Sequence, residues 1–275
     1  MDITHYQIHP ALKGCVASIF TMSRNADENG ELVQTAIPSH ECYLSFEFDT
    51  DFSVKNSITG VLSPTHQTTI IPPQLINTEI SGKTIKAIML KFKHAGFYRM
   101  FKVPIKQFNN ECHNARDVFH REFVDLYDRM MGTAGLAAKV KVLESYLLKK
   151  VPTAEPYMPI DYAVERLLFN HGNIPIAGLA SSACMSVRQL QRKFMERFGL
   201  SPKHFSKFIR FGNAYHMRNL FPELTWGQIS TQCGYFDQMH LIHDFKSIAA
   251  LNPCELDDKM SASAILLIPS TELLI

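Results

Sequence analysis

Residues 174–194 read Ile174-Pro-Ile-Ala-Gly-Leu-Ala-Ser-Ser-Ala-Cys-Met-Ser-Val-Arg-Gln-Leu-Gln-Arg-Lys-Phe194, and residues 225–245 repeat this pattern as Thr225-Trp-Gly-Gln-Ile-Ser-Thr-Gln-Cys-Gly-Tyr-Phe-Asp-Gln-Met-His-Leu-Ile-His-Asp-Phe245. In each copy, a short helix is predicted to end at a small residue, and a capping residue then opens a second helix. This is the helix-turn-helix pattern. Equivalent residues lie 50 positions apart before the turn, as Leu179 and Ile229 do, and 51 apart after it. The second turn is therefore predicted to carry one extra residue.

Length and composition describe an ordinary folded protein. The chain has 275 residues, which is enough for two domains that each bury a core. Hydrophobic residues make up 46% and charged residues 20%, which excludes a disordered chain. The net charge is only +2, so the overall charge does not indicate a nucleic-acid partner.

The distribution of charge is more informative than its sum. Between 219 and 260, two lysines stand against six acidic residues. Between 186 and 218, one acidic residue, Glu196, stands against eight basic residues: Arg188, Arg192, Lys193, Arg197, Lys203, Lys207, Arg210 and Arg218. A basic cluster on one subdomain is what phosphate binding requires.

Cysteine spacing and hydropathy predict a cytoplasmic protein with no membrane partner. The 6 cysteines show no C-x-x-C pair, which favours free thiols over disulfides or a zinc site. The N-terminus lacks the basic start and apolar run of a signal peptide, and no apolar segment is long enough to span a bilayer. The short apolar run at 264–268 is expected to pack on the protein.

Alternation of apolar and polar residues predicts β structure in the N-terminal half. Across 42–48, apolar residues occupy the even positions, and Tyr43, Ser45 and Glu47 occupy the odd ones. This period of two predicts a half-buried strand. Similar runs lie at 16–22, 58–62, 68–71 and 84–92. Together they predict an antiparallel barrel or sandwich of about a hundred residues. Its interior is either a pocket or filled by Phe46, Phe48, Leu90 and Phe92.

Helical periodicity then takes over, at 117–131 and 136–150. Three prolines within 151–159 predict a linker. We therefore expect an α+β fold in two domains. One is an N-terminal antiparallel β barrel with helices over 1–151, and the other an all-α domain with two helix-turn-helix units over 160–258. An apolar stripe on the second helix either packs on its own domain or forms a dimer contact: Leu136, Val140, Leu143 and Leu147.

The first helix-turn-helix unit carries the side chains best suited to reading bases. Ser186 is a predicted N-cap. Arg188, Gln191 and Arg192 fall on one face of the helix that follows. Arginine can pair with guanine and glutamine with adenine. The opposite face is expected to bury Val187, Leu190, Phe194 and Phe198. Phosphate contacts are predicted for five basic residues: Lys193, Arg197, Lys203, Lys207 and Arg210.

The second unit has weaker chemistry for reading bases. Asp237 and Asp244 would repel phosphates unless they cap the helix or pair locally. Two interpretations stay open, since this unit either reads bases or docks on the DNA backbone. The buried residues are predicted to be Leu241, Phe245 and Ile248. The outward-facing, base-reading candidates are Gln238, Met239, Ile242 and His243.

Several motifs of the C-terminal half occur together in one known family. They are Leu179-Ala180, Met185-Ser186, Leu190-Gln-Arg-Lys-Phe194, Phe198-Gly-Leu-Ser-Pro202, Arg210, Ala214, Ile229, Gly234-Tyr235, the 237–246 run and Pro253. With these motifs, residues 160–256 resemble the AraC/XylS family of bacterial transcription regulators. The resemblance implies seven helices in two helix-turn-helix units joined by a long helix, Pro202–Leu220. It also implies that both recognition helices enter successive major grooves, about 34 Å apart.

The chain departs from the family pattern at three positions. Cys184 stands where the family usually has glycine, so a positive φ there would cost about 1 kcal/mol. His243 stands where arginine is common, and Ala250 replaces a frequent glycine. Together with the acidic balance, these departures predict weaker base reading by the second unit.

The N-terminal half resembles the cupin-like sensor domains attached to some members of this family. The similar stretches are 37–46, 60–62 and 87–98, and the resemblance implies effector binding or dimerisation. A catalytic metal would need clustered histidines, but His40-Glu41 has no H-x-H partner. No nucleophile elbow, phosphate-binding loop or dinucleotide motif is present either. We therefore predict no enzymatic activity, no metal site and no cofactor.

These patterns together predict a sequence-specific DNA-binding transcription regulator. Its predicted partners are double-stranded DNA, a small-molecule effector, RNA polymerase and a second copy of the chain. The alternative is a ligand- or partner-binding protein whose DNA-binding domain has lost most base-specific reading.

Overall fold

The strands of the N-terminal part form one antiparallel sheet. The computed structural model describes residues 2–25, 32–108 and 110–262, so the apolar run at 264–268 lies outside the described residues. Within these ranges the strands are β1 Asp2–Tyr6, β2 Val16–Asn25, β3 Leu32–Ala36, β4 Tyr43–Glu47, β5 Asp51–Asn56, β6 Leu62–Ser63, β7 Thr68–Ile71, β8 Thr78–Phe92 and β9 His113–Asn114.

β8 is the central strand because it is long enough to pair with four others. Its C-terminal half pairs with β2 on one edge and β4 on the other. Its N-terminal half pairs with β3 and β5 in the same way. β1 extends the sheet beyond β2, and β7 extends it beyond β4. The predicted antiparallel architecture is thereby confirmed.

One predicted strand, 58–62, is mostly a turn. The side-chain Oδ1 of Asn56 accepts hydrogen bonds from the amides of Ile58 and Thr59, at 2.8 Å and 3.0 Å. A side chain that accepts hydrogen bonds from the amides two and three residues ahead holds the backbone in a turn. The segment therefore cannot form the extended strand that its alternating sequence predicted. Strand pairing resumes only at β6.

The helices are α1 Gly96–Phe101, α2 Ala115–Phe119, α3 Arg121–Met131, α4 Leu136–Lys150, α5 Pro159–Phe169, α6 Ile176–Ser182, α7 Val187–Phe198, α8 Pro202–Leu220, α9 Trp226–Gln232, α10 Gln238–Ala249 and α11 Pro253–Ala262. α4 and α8 have the predicted bounds. The helix predicted over 117–131 is divided, because His120 has a φ of 50° and separates α2 from α3. In the part of the chain that the structure describes, no helix is long and apolar enough to cross a membrane.

Both faces of β4 are buried, although the sequence predicted a half-buried strand. Leu44 and Phe46 join a hydrophobic core with α3 and α4. Tyr43, Ser45 and Glu47 line a cavity inside the sheet. The interior is therefore a pocket, and the residues that were candidates for filling it pack beneath the helices instead: Phe46, Phe48, Leu90 and Phe92.

The apolar stripe of α4 packs within its own chain. Val140, Leu143 and Leu147 are buried in the same core as Phe123 of α3, and Leu136 packs at its edge. Because these side chains are already covered, the dimer interpretation of the stripe is wrong.

A second core holds the C-terminal helices together. It joins Leu190 and Phe194 of α7 to Leu241 and Phe245 of α10. Ile37 and Ala95 from the N-terminal part also belong to it. The separate cores are compatible with two domains, and the bounds 1–151 and 160–258 stay a prediction.

Candidate nucleic-acid interface

The first helix-turn-helix unit consists of α6, a turn and α7. Ser186 Oγ accepts a hydrogen bond from the Gln189 amide at 3.2 Å, and Gln189 Oε1 accepts one from the Ser186 amide at 2.9 Å. This reciprocal cap satisfies amides that a helix end leaves free, and the predicted N-cap is confirmed. Leu190, Phe194 and Phe198 are buried as predicted. Val187 was predicted to be buried but is 40% exposed, because it lies in the first turn beside the cap.

The turn of this unit places Cys184 in a conformation that favours glycine. Its φ is 53°, whereas the equivalent Gly234 of the second unit has a φ of 73°. A side chain in this left-handed region costs roughly 1 kcal/mol. Ala250, which ends α10, has a φ of 57°. Both positions where the chain lacks the family's glycine are therefore left-handed.

Three donor side chains stand on the open face of α7. Arg188, Gln191 and Arg192 are all exposed, and Lys193 beside them is half-buried. The opposite face of the helix is fixed in the core, so these side chains project from a rigid element. Guanidinium and amide groups can form paired hydrogen bonds with guanine and adenine in a major groove. The structure thus brings the three base-reading candidates of α7 together on one surface.

Arg197 does not lie on this surface, which corrects its prediction as a phosphate contact. Its side chain is 3% exposed, and its Nη2 lies 2.7 Å from Glu155 Oε2. Nη1 lies 4.0 Å from Asp161 Oδ1. The guanidinium also covers the ring of Tyr98, 4.6 Å from its centre. A charge buried this deeply stays with its partners rather than reaching solvent phosphates.

The second unit consists of α9, a longer turn and α10. The turn runs over 233–237, against 183–186 in the first unit, so the extra residue is confirmed. Asp237 Oδ1 accepts a hydrogen bond from the His240 amide at 2.7 Å and caps α10. Of the base-reading candidates on α10, Ile242 is half-buried, and the others are exposed: Gln238, Met239 and His243.

The core of the second unit contains Trp226, the single tryptophan of the chain. It is buried, and its ring meets that of Phe245 at 5.2 Å. The Arg218 guanidinium lies 5.6 Å from the same ring. Leu241 and Ile248 are buried as predicted.

Asp244 is buried and paired rather than facing DNA. Its carboxylate lies 3.3 Å from Lys207 Nζ and 3.2 Å from Arg210 Nη2. Lys207 and Arg210 are thus engaged by a carboxylate, which departs from their prediction as phosphate contacts. Among the described residues, Lys193 and Lys203 are the predicted phosphate contacts that keep an ammonium group outside any ion pair.

The first unit also packs against the N-terminal part, a contact that the sequence did not predict. The Tyr98 hydroxyl donates a hydrogen bond to Glu196 Oε1 of α7 at 3.0 Å. Gly199, which ends α7, has a φ of 67° and lies against Ile105. A Cβ at Gly199 would lie 2.7 Å from Ile105 Cγ2, so only glycine permits this approach.

Two histidines fill the same contact beneath α8. His40 and His94 stack with their ring centres 5.5 Å apart. The ring of Phe205 meets them edge-on, at 4.9 Å and 5.5 Å. Burial is the main reason why the pKa of each histidine falls to about 3. No sequence spacing could reveal this pair, because the histidines meet only after the sheet has formed.

A cavity of about 800 Å³ lies inside the sheet. Side chains from β2, β4, β5, β7 and β8 line it, and apolar ones such as Met22, Val54, Ile80 and Met89 are among them. A volume of this size is typical of sites for small molecules. In the described part of the chain, no three side chains of His, Cys, Asp or Glu group closely enough to hold a metal ion.

Comparison with solved structures finds several similar proteins at low identity. ToxT from Vibrio cholerae O395 is 10% identical with a TM-score of 0.47, covering 88% of this chain and 98% of that one. Unsaturated fatty acid bound ToxT from Vibrio cholerae strain SCE256 is 13% identical with a TM-score of 0.46, covering 90% and 96%. The DNA-binding domain of AdpA, in complex with a target DNA, is 21% identical with a TM-score of 0.35, covering 38% and 96%. With TM-scores below 0.5, these likenesses decide nothing about this chain.

The sequence of the C-terminal helices provides the decisive comparison. No curated protein matches the chain. A family model described as a helix-turn-helix domain, however, matches residues 179–258. The match runs from α6 into α11 and includes both capped recognition helices. Residues 179–258 of this chain therefore form a helix-turn-helix domain of the kind that this model describes.

Proposed function

We propose that this protein is an AraC-type transcription regulator that recognises a specific DNA sequence mainly through α7. The open face of α7 is the observation that carries the proposal. Arg188, Gln191 and Arg192 are exposed there, and no ion pair engages them within the described residues. Each well-placed pair with a base contributes about 1–3 kcal/mol of discrimination. Lys193 and Lys203 supply ammonium groups for phosphates, which position the protein.

α10 binds the next major groove on the same face of the DNA, about one helical turn away. Gln238 pairs with adenine, and Met239 and Ile242 contact thymine methyl groups. His243 offers only its ring nitrogens, where an arginine would offer a five-donor fork. The second unit therefore contributes affinity and alignment, and the first unit supplies most of the sequence information.

The N-terminal part is the proposed sensor. Its cavity has the volume of a small-molecule site, and its Tyr98 contacts Arg197 at the end of α7. A change of packing around the cavity can therefore reach α7 through that contact. RNA polymerase and a second copy of the chain are further proposed partners, and the cytoplasm is the proposed location.

Selection of bound fragments from the source genome, followed by competition with random DNA, tests this proposal. Arg192→Ala is expected to weaken binding to a selected fragment by about 1–3 kcal/mol while changing binding to random DNA little. Lys149→Ala, which removes an exposed cation from α4, is the control and should change neither. Equal losses on both DNAs would reassign Arg192 to a phosphate. If no fragment is preferred over random DNA, the alternative function gains support.

A further inference from the structure

The cavity inside the sheet is lined by acidic side chains and by two histidines, His66 and His113. The carboxyl groups of Glu41, Glu47, Glu111 and Asp117 belong to its wall. No lysine or arginine of the described residues does. The charge of Glu41 is balanced from the adjacent strand, since its Oε1 lies 2.5 Å from Lys91 Nζ. The remaining carboxyl groups give the cavity a negative end.

Glu47 is the best placed of these groups to meet a ligand. It projects from β4 into the cavity and is 8% exposed. Ser45 Oγ donates a hydrogen bond to its Oε1 at 3.3 Å, and no cationic side chain of the described residues lies within ion-pair distance. Burial raises the pKa of the Glu47 carboxyl to about 7. A buried carboxylate without a counter-ion is costly, so a cation beside it is stabilised.

The rest of the cavity suits an apolar body. Gln34 adds one donor to this wall, because its buried Nε2 has no hydrogen-bond partner among the described residues. The apolar side chains that line the cavity include Met22, Phe52, Val54, Ile80, Ile85 and Met89. A ligand that fills this space is therefore mostly apolar, with a polar head at the acidic end.

We propose that the effector of this regulator is an organic cation: an amine or ammonium group on an apolar body, with its nitrogen beside Glu47. The inference rests on the proposed sensor function of the cavity. A cation restores the charged form of Glu47 and gains an ion pair away from bulk water. An anion of the same shape would meet these carboxyl groups and would find no lysine or arginine in the described wall.

Three probes that differ only in their head group test the proposal on the full chain. They are 4-phenylbutylamine, 4-phenylbutanol and 4-phenylbutyrate, with binding measured by calorimetry at neutral pH. We expect the amine to bind about tenfold more tightly than the alcohol, because its hydrogen bond to the carboxylate is charge-assisted. The carboxylate should bind most weakly. This order is read on the unmodified chain, so it does not depend on any variant folding.

Two variants then locate the effect. Glu47→Gln keeps the shape of the side chain and removes its charge, so the advantage of the amine over the alcohol should disappear. Glu79→Gln makes the same change on β8 at an exposed ion pair with Lys55, outside the cavity wall, and should leave the advantage unchanged.

The outcomes separate the ligand class from the sensor function. Tightest binding by the alcohol or the carboxylate would overturn the cationic ligand and leave a sensor with another effector. An amine advantage that persists in Glu47→Gln would overturn the role of Glu47. If none of the three probes binds while specific DNA binding is intact, the cationic ligand is overturned and the proposed DNA recognition stands.

Discussion

The two recognition helices share one fold but differ in what surrounds them. α7 carries exposed arginines, and at its C-terminal end Arg197 and Glu196 both contact Tyr98 of the N-terminal part. α10 carries Met239 and His243 on its open face. Its buried Asp244 pairs within the C-terminal part.

Under the proposed function, this difference puts base reading and control in the same unit. The second unit touches the N-terminal part through a hydrogen bond from Asn77 Nδ2 to the Ala249 carbonyl, 2.6 Å long, at the end of α10. The first unit contacts it through Tyr98, which meets Arg197 and Glu196, and through the close approach of Gly199 to Ile105. Phe205 of the following helix α8 adds the contact with His40 and His94. A signal from the cavity therefore has its strongest mechanical connection to the helix that carries the donors.

The largest expected effect on the difference between the two units comes from replacing Arg197 with alanine, which removes the buried guanidinium at the end of α7. Glu155 and the buried Asp161 would both lose their guanidinium partner. Removing one side of a buried ion pair typically costs about 3–5 kcal/mol, and we expect the free energy of unfolding in urea to fall by that amount. Arg188→Ala removes an exposed arginine from the same helix and should change it by less than about 0.5 kcal/mol. Equal effects of the two variants would show that the buried ion pairs of Arg197 do not stabilise the fold.

Acid is expected to destabilise the contact between the N-terminal part and α8, because His40 and His94 are buried in it. The pKa of His40 and His94 is about 3 in the folded chain, mainly because of burial, and about 6.5 when unfolded. The unfolded state therefore binds more protons between these values, and stability falls as the pH drops below about 6.5. At pH 4 the loss is about 3 kcal/mol for each histidine.

Urea unfolding at pH 7 and pH 4 measures this effect. Lys91, Glu41 and Lys93 also lie near the pair and contribute to its electrostatics. His40→Leu removes one titrating group and leaves these charges in place. The acid-induced loss should shrink by about 3 kcal/mol in the variant. A loss of the same size in both proteins would show that His40 is not responsible.

The smallest expected effect on stability comes from substitutions at the equivalent turn residues Cys184 and Gly234. Cys184→Gly relieves the left-handed backbone of the first turn, and glycine's greater freedom when unfolded offsets part of the gain. We expect a net stabilisation of about 0.5 kcal/mol in urea. Gly234→Ala in the second turn should destabilise instead, because its Cβ would lie 2.6 Å from Asn173 Nδ2. A stabilised Gly234→Ala protein would mean that the two turns are not equivalent.

The sequence predicted those features that depend on neighbours along the chain. α8 begins at Pro202, after a cap in which Ser201 Oγ accepts a hydrogen bond from the His204 amide at 3.2 Å, and the resemblance to the AraC/XylS family implied both of its bounds. The open face of α7 followed from the three- and four-residue spacing of its donors. The left-handed φ of Cys184 followed from the glycine that it replaces.

Features that depend on distant contacts could not be predicted in this way. Arg197 looked like its exposed neighbours because only Glu155, in another part of the chain, decides that it is buried. Periodicity showed that β4 has two faces, but not that α3 and α4 would cover one and a cavity the other. The break at His120 needs a left-handed φ at a residue with no glycine signal.

The buried position of Trp226 makes this chain optically asymmetric. Its tryptophan emission arises from the second unit alone, beside the Phe245 ring and the Arg218 guanidinium. Circular dichroism, in contrast, averages over every helix and strand. Disagreement between the two signals during unfolding would show that the second unit melts separately from the first unit and the N-terminal part. Agreement would show that both units melt as one.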